Sequence, residues 1–189
     1  MSSAIVTSEH GALPLGPIEQ SNNLFIRLIH WAMRKRYGSV PMVFRVVYTR
    51  SPFLAVVSVA IVFGVTGFLR IGRELAFLLQ TAVALQNGCT FCADLHLAEA
   101  VRAQIGRERF LDLMDFANSP KFSPREKAAL AYAAALQQSL HISDDIWHQL
   151  KQQFTERERI DIVWLCAVER YYNSIALPLR IGSDHLADA

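Results

Sequence analysis

The chain has 189 residues, of which 52% are hydrophobic, and its 19 basic and 17 acidic side chains leave a formal charge of only +2. This length suits one domain, and the charges form no block of one sign that could follow nucleic-acid phosphates, so we exclude nucleic acid as a partner. The apolar excess predicts a large core together with a subunit interface, and therefore a homo-oligomer.

Residues 1–22 carry no clear helical pattern and are predicted to form a flexible N-terminal arm. They lack a basic start followed by an apolar run, so they do not resemble a secretory signal. Three cysteines, two of them close together and Cys166 apart, fit a reducing cytoplasm. We predict a single all-helical domain over residues 23–182 and a C-terminal tail over 183–189.

Residues 22–36, NNLFIRLIHWAMRKR, predict an amphipathic helix that ends before Gly38. Residues 53–69 follow as an uncharged apolar segment of about the shortest length that spans a bilayer. Ser51 and Pro52 mark the start of a helix there. The flanking arginines show no one-sided bias, so we favour a buried helix over a membrane helix.

Capping residues predict where the later helices begin. Ser123 and Glu126 have the spacing of a capping box, and Thr155 and Glu158 repeat it before the last long helix. Alternating strand patterns are scarce, so the sequence predicts an all-α fold.

The segment NGCTFCADLHLAEA brings two thiols and an imidazole together. Asn87 and Gly88 indicate a break between helices, which leaves Cys89 at the start of the next helix, where the partial positive charge stabilises a thiolate. Cys92 and His96 then lie on the same helical face, and the imidazole can exchange a proton with a thiol. Residues three apart in a helix are close enough for a disulfide.

Other interpretations of this motif remain open at this point. A structural zinc site needs four ligands, and the motif supplies three, with Asp94, His141 or Cys166 as unforced candidates for the fourth. Attachment of a c-type haem requires histidine directly after the second cysteine, where Ala93 stands, so it is excluded. Both cysteines could also be buried as small apolar residues.

The segment LQNGCTFCADLHLAEA resembles the core motif of the alkylhydroperoxidase D-like and carboxymuconolactone decarboxylase-like proteins, and the resemblance extends over about residues 38–179. It implies an all-helical bundle assembled as a trimer or hexamer, with peroxidase activity in members that carry the cysteine pair. In such members the second cysteine, which is Cys92 here, attacks the hydroperoxide, and the first cysteine, Cys89, resolves the sulfenic acid. The histidine that matches His96 relays protons, and a dithiol reductant restores the pair. No metal or organic cofactor is implied.

The sequence departs from this family at two positions. The glutamate expected twelve residues before the first cysteine is Phe77, and the histidine found between the cysteines of the best-known peroxidase is Phe91. We predict that another carboxylate supports His96, preferring Glu74 on the preceding helix over Glu169 on the last one. Either glutamate could instead be a solvated or ion-paired side chain.

The sequence therefore predicts a cytoplasmic cysteine-based peroxidase or thiol-disulfide oxidoreductase, acting on a small hydroperoxide. Two other functions remain open. One is lactone decarboxylation or a related proton transfer with His96 as the base, which predicts activity without either cysteine. The other is a non-enzymatic oligomeric or membrane-associated helical protein.

Overall fold

The computed structural model describes residues 12–66 and 68–188, without the side chains of residues 63–66, so the first half of the predicted N-terminal arm (1–11) lies outside the described residues. Within them no strand occurs, which confirms the all-α prediction. The α-helices are α1 (Leu24–Tyr37), α2 (Pro52–Thr66), α3 (Arg73–Asn87), α4 (Thr90–Arg102), α5 (Pro124–Gln138), α6 (Asp144–Gln153) and α7 (Glu156–Ala176). A π-helical turn (Phe44–Tyr48) and two 3₁₀ segments (Arg107–Asp115 and Leu186–Asp188) complete the described elements.

The helix starts follow from local capping. Ser123 accepts a hydrogen bond from the Glu126 backbone N–H, and the Glu126 carboxylate accepts one in return from the Ser123 backbone N–H. Thr155 and Glu158 form the same reciprocal box at the start of α7. Each box satisfies two backbone donors that the first turn of a helix leaves without partners. Both predicted boxes are confirmed.

Helix α3 is the centre of the bundle and packs against α4, α5 and α7. Its side chains from Leu75 to Ala84 are buried except for the half-buried Phe77. A helix surrounded in this way positions its neighbours relative to one another. The C-terminal end of α3 thereby brings the start of α4 close to the face of α7.

Helix α2 contacts the rest of the chain through a narrow strip. Ala55 is fully buried and Ser58 nearly so, whereas Phe53, Val56 and Val59 are 73%, 48% and 44% exposed. Among residues 53–62, whose side chains the structure describes, the predicted burial is therefore only partly achieved within a single chain. Among the described residues, no helix combines the length and apolar character needed to cross a membrane.

The segments at the two ends of the predicted domain both contact it. The Ile18 backbone N–H donates to the Arg45 carbonyl at 3.0 Å. On the outer side of α4, the Asp94 carboxylate accepts hydrogen bonds from the backbone N–H groups of Leu186 and Ala187 at 2.9 and 3.0 Å. Leu186 is 1% exposed. The division into an arm, a domain and a tail stays a prediction.

Candidate active site

The two motif cysteines occupy the turn between α3 and α4. Gly88 has the left-handed backbone conformation (φ 75°) that ends α3, a conformation that glycine adopts without steric cost. Cys89 is the N-cap of α4, and its Sγ accepts a hydrogen bond from the Cys92 backbone N–H at 3.3 Å. The two cysteines are joined as a disulfide, with their Cα atoms 5.3 Å apart. The sulfur atoms therefore lie at the positive end of a helix dipole.

Both sulfur positions are shielded from solvent. Cys89 is 0% exposed and Cys92 is 4% exposed. They belong to an apolar cluster that includes Val46, Phe91 and Ile181. Burial among apolar side chains disfavours a thiolate, so a nucleophilic cysteine here depends on the helix N-terminus and on a nearby base.

The histidine of the motif, His96, contacts a carboxylate on the last helix. His96 lies one turn beyond Cys92 on α4, and its Nε2 is 2.6 Å from Oε2 of Glu169 on α7. The Glu169 side chain is fully buried, and the His96 side chain is 13% exposed. A carboxylate at this distance orients an imidazole ring.

Two asparagines extend this contact. Asn173 Nδ2 donates to Oε1 of Glu169 at 2.7 Å. Asn87 Nδ2 in turn donates to Oδ1 of Asn173 at 2.6 Å. Neither asparagine was predicted as a site residue: Asn87 was recognised only as part of the helix break, and Asn173 was not recognised, although Glu169 and Asn173 are four residues apart and so share a face of α7. That spacing was the available signal.

Glu74, the preferred candidate for the carboxylate beside His96, lies apart from the cysteine motif. It lies in the first turn of α3, its side chain is 48% exposed, and it forms an ion pair with Arg109. Arg109 also pairs with Glu126 at 2.8 Å. The structure therefore brings Cys89, Cys92, His96 and Glu169 together and leaves Glu74 apart, contrary to the preference for Glu74 as the neighbour of His96. The physical reason is that Glu74 finds a guanidinium partner at the exposed start of its helix.

The candidates for a fourth zinc ligand do not converge on the motif. Asp94 binds the C-terminal tail, and His141 is exposed after α5. Cys166 is buried in α7, where burial, reinforced by the negative charge of Glu169, raises the pKa of its thiol to about 12. Within residues 12–66 and 68–188, no group of three or more histidine, cysteine, aspartate or glutamate side chains is placed to hold a metal ion.

A shielded cysteine pair at a helix N-terminus, followed by a histidine that contacts a buried carboxylate, defines this all-helical chain as a protein with a thiol-based candidate site. Residues 70–135 match the model of the carboxymuconolactone decarboxylase family. The matched segment includes both motif cysteines and His96, whereas Glu169 and Asn173 lie outside it.

One protein is similar to this chain in sequence, and two solved structures are similar to it in fold. The uncharacterized protein YdfG of Bacillus subtilis (strain 168) is 27% identical over 111 residues, which are 58% of this chain and 76% of that protein. The debrominase Bmp8, crystallised with 2,3,4-tribromopyrrole, has a similar fold, with a TM-score of 0.79 and 19% identity over 94% of this chain and 95% of that one. The alkylhydroperoxidase AhpD core of a peroxidase-related protein from Ralstonia eutropha JMP134 gives a TM-score of 0.66 and 20% identity, covering 86% and 87% of the two chains.

The match of residues 70–135 bears out the carboxymuconolactone decarboxylase-like part of the resemblance that the cysteine motif indicates. The similar structures confirm the predicted bundle type.

Proposed function

We propose that the protein is a cysteine-based peroxidase or thiol-disulfide oxidoreductase that reduces a small hydroperoxide. One observation carries the proposal: the cysteine pair at the start of α4 lies one turn from His96, whose imidazole is held by the buried carboxylate of Glu169 at 2.6 Å. A thiol, a base and a group that orients the base are the parts that an activated nucleophile requires.

The cycle begins with the reduced pair. His96 takes the proton of the Cys92 thiol, and the thiolate attacks one oxygen of the hydroperoxide. The O–O bond breaks, Cys92 becomes a sulfenic acid, and the leaving alkoxide takes the proton back from His96 to give an alcohol. Cys92 is thereby oxidised by two electrons and the hydroperoxide is reduced by two.

Resolution and recycling follow. The Cys89 thiol attacks the sulfenic sulfur of Cys92 and water leaves, which forms the disulfide. An external dithiol then reduces the disulfide through two successive exchange steps and is itself oxidised. The cycle uses only side chains of this chain, the hydroperoxide and the dithiol reductant, so we propose no metal or organic cofactor.

Thiol titration before and after hydrogen peroxide tests this proposal. We expect two of the three thiols to be lost, peptide mapping to find a Cys89–Cys92 cross-link, and the dithiol to restore both thiols. Cys89→Ser should trap Cys92 as a sulfenic or more oxidised acid, and Cys166→Ser should behave like the parent chain. Persistence of both motif thiols after prolonged exposure would refute the peroxidase proposal.

A second candidate is lactone decarboxylation or a related proton transfer, which the match to the carboxymuconolactone decarboxylase family favours. His96 with Glu169 could serve as the base without either sulfur. The two candidates separate cleanly, because turnover of a lactone substrate should survive Cys92→Ser, whereas peroxide reduction should not.

The fold likeness to a debrominase adds a brominated aromatic compound to the substrates for testing. Replacement of a carbon–bromine bond by a carbon–hydrogen bond consumes two electrons and releases hydrogen bromide, and a dithiol that closes to a disulfide supplies both electrons. This reaction should require both Cys89 and Cys92, unlike a proton transfer.

We also propose a cytoplasmic homo-oligomer. Large apolar side chains remain exposed on three helices, and Trp31, Phe53 and Trp164 are 57%, 73% and 49% exposed. Surfaces of this kind are usually covered by another subunit. Light scattering of protein expressed without detergent should give a mass of three or six chains, whereas recovery only in the membrane fraction would favour the membrane-associated alternative.

A further inference from the structure

A row of hydrogen bonds that is buried at its centre joins three of the helices around the candidate site. It runs from Asn87, the last residue of α3, to Asn173 and Glu169 on α7 and then to His96 on α4. Asn173 is 2% exposed and Glu169 is 0% exposed. Polar groups buried to this degree are costly unless each one has a partner, so the arrangement depends on all of its members.

The chemistry of the groups determines which one donates and which one accepts in each of these hydrogen bonds. An ionised carboxylate only accepts hydrogen bonds, so Asn173 must present its amide NH₂ to Glu169. The Asn173 carbonyl oxygen is then left to accept from Asn87. On the other side, His96 must present a protonated Nε2 to the second oxygen of Glu169. The imidazole is thereby held in the tautomer whose Nδ1 accepts a proton.

We propose that Asn173 is a positioning residue of this site: it fixes the Glu169 carboxylate and, through it, the orientation and tautomer of His96, while Asn87 links this arrangement to the cysteine turn. The effect of Asn173 on the tautomer of His96 does not depend on the proposed function, whereas its effect on the reactivity of Cys92 rests on the proposed thiol chemistry. Asn87 is suited to the linking role because only Gly88 separates it from Cys89.

The physical effect of losing Asn173 follows from burial. The Glu169 carboxylate would keep His96 but lose the donor to its other oxygen, which would leave that buried oxygen unsatisfied. The Glu169 side chain would then be freer to rotate and would no longer hold the His96 ring in one orientation. The imidazole would then populate both tautomers, and the thiol would lose part of its base.

Asn173→Leu tests this proposal, because leucine has the same number and branching of side-chain heavy atoms as asparagine and cannot donate a hydrogen bond. The first readout is the nitrogen NMR signature of the His96 ring in the reduced protein, which reports the tautomer without any turnover. The second is the pH profile of Cys92 alkylation by iodoacetamide in a Cys89→Ser background. Circular dichroism checks that each variant is folded.

Asn118→Leu is the matched control. Its amide also donates to a carboxylate, that of Asp115 at 2.6 Å, but at an exposed position outside the site. Asn87→Ala should give a smaller change than Asn173→Leu in the same direction, because Asn173 retains its own contact with Glu169.

We expect the parent chain to show the Nε2–H tautomer and Asn173→Leu to show a mixture. Alkylation of Cys92 at neutral pH should slow by about tenfold or more, since the free energy of a hydrogen bond to a charged group corresponds to a factor of that size. An unchanged tautomer and pH profile in a folded Asn173→Leu protein would overturn the proposal. If Asn173→Leu does not fold, Asn87→Ala decides in its place: an altered pH profile supports the linkage, and a parent-like one refutes it.

The outcome is separable from that of the proposed function. A parent chain whose cysteines ignore peroxide would refute the peroxidase, while the ring signature of His96 would still decide the role of Asn173. A parent chain that reduces peroxide, with Asn173→Leu indistinguishable from it, would refute the positioning role alone.

Discussion

Glu169→Gln is the most informative single substitution at this site, because it removes one charge and retains the size of the side chain. In the parent chain the carboxylate accepts from His96 on one oxygen and from Asn173 on the other. Glutamine has one oxygen, which can retain Asn173, and its NH₂ group then faces His96 Nε2. That nitrogen must lose its proton and accept, so the ring proton moves to Nδ1. The imidazole is left in the wrong tautomer to receive the Cys92 proton.

The expected size of the effect has two parts. A hydrogen bond to a charged group is worth about 1.5–3 kcal/mol and a neutral one about 1 kcal/mol, so support for the imidazolium falls by about 0.5–2 kcal/mol, or roughly two- to thirtyfold in rate. Loss of the correct tautomer removes general-base assistance, which contributes about a hundredfold or more. We therefore expect Cys92 oxidation to slow by at least about a hundredfold near neutral pH.

The assay is the rate of sulfenic acid formation at Cys92 by hydrogen peroxide, measured across pH in a Cys89→Ser background. Glu74→Gln is the control: it removes the same charge at a position that is 48% exposed and paired with Arg109. It should leave the rate unchanged and cost about 0.2–1 kcal/mol of folding stability, the range measured for exposed ion pairs. If folded Glu169→Gln reacts like the parent chain, Glu169 plays no part in proton relay; a slow Glu74→Gln would restore the preference that the sequence suggested.

Three further predictions concern stability and reactivity. Leu186→Ala should lower the urea-unfolding free energy by about 2–3 kcal/mol, because Leu186 is 1% exposed and its removal leaves a cavity against α4; an unchanged midpoint would mean that the tail contributes no stability. Burial, with a smaller contribution from Arg34, lowers the pKa of His30, which contacts Thr49 at 2.9 Å. As the pH falls, the unfolded chain therefore binds a proton at this histidine before the folded chain does, so the contribution of His30 to the free energy of unfolding is fully present above about pH 6.5 and decreases below it. His30→Gln should reduce this pH dependence in chemical denaturation, and an equally steep loss of stability in the variant would contradict the assignment to His30. Cys166, with a thiol pKa raised to about 12 by burial, should resist alkylation until urea unfolds the chain, and modification of the native protein would contradict its burial.

Local signals in the sequence were sufficient for the elements that depend only on near neighbours. The capping boxes of α5 and α7 each need two residues three positions apart, so their outcome is independent of the rest of the fold. The turn at Gly88 and the placement of Cys89 as the cap of α4 follow in the same way, because only glycine reaches that backbone conformation easily. The cysteine pair and His96 were therefore predictable as a group on one helix.

Tertiary packing alone decided which carboxylate meets His96. Glu74 and Glu169 lie far from His96 in sequence, and no local pattern sets how α3 and α7 rotate about their axes when they pack. The buried faces of the helices set that rotation, which turns Glu169 and Asn173 inward and leaves Glu74 at the surface beside Arg109. The exposure of α2 could not be predicted from the sequence for the same reason. The apolar composition of a helix predicts that it is buried against another surface, and the packing of the other helices determines whether the same chain provides that surface.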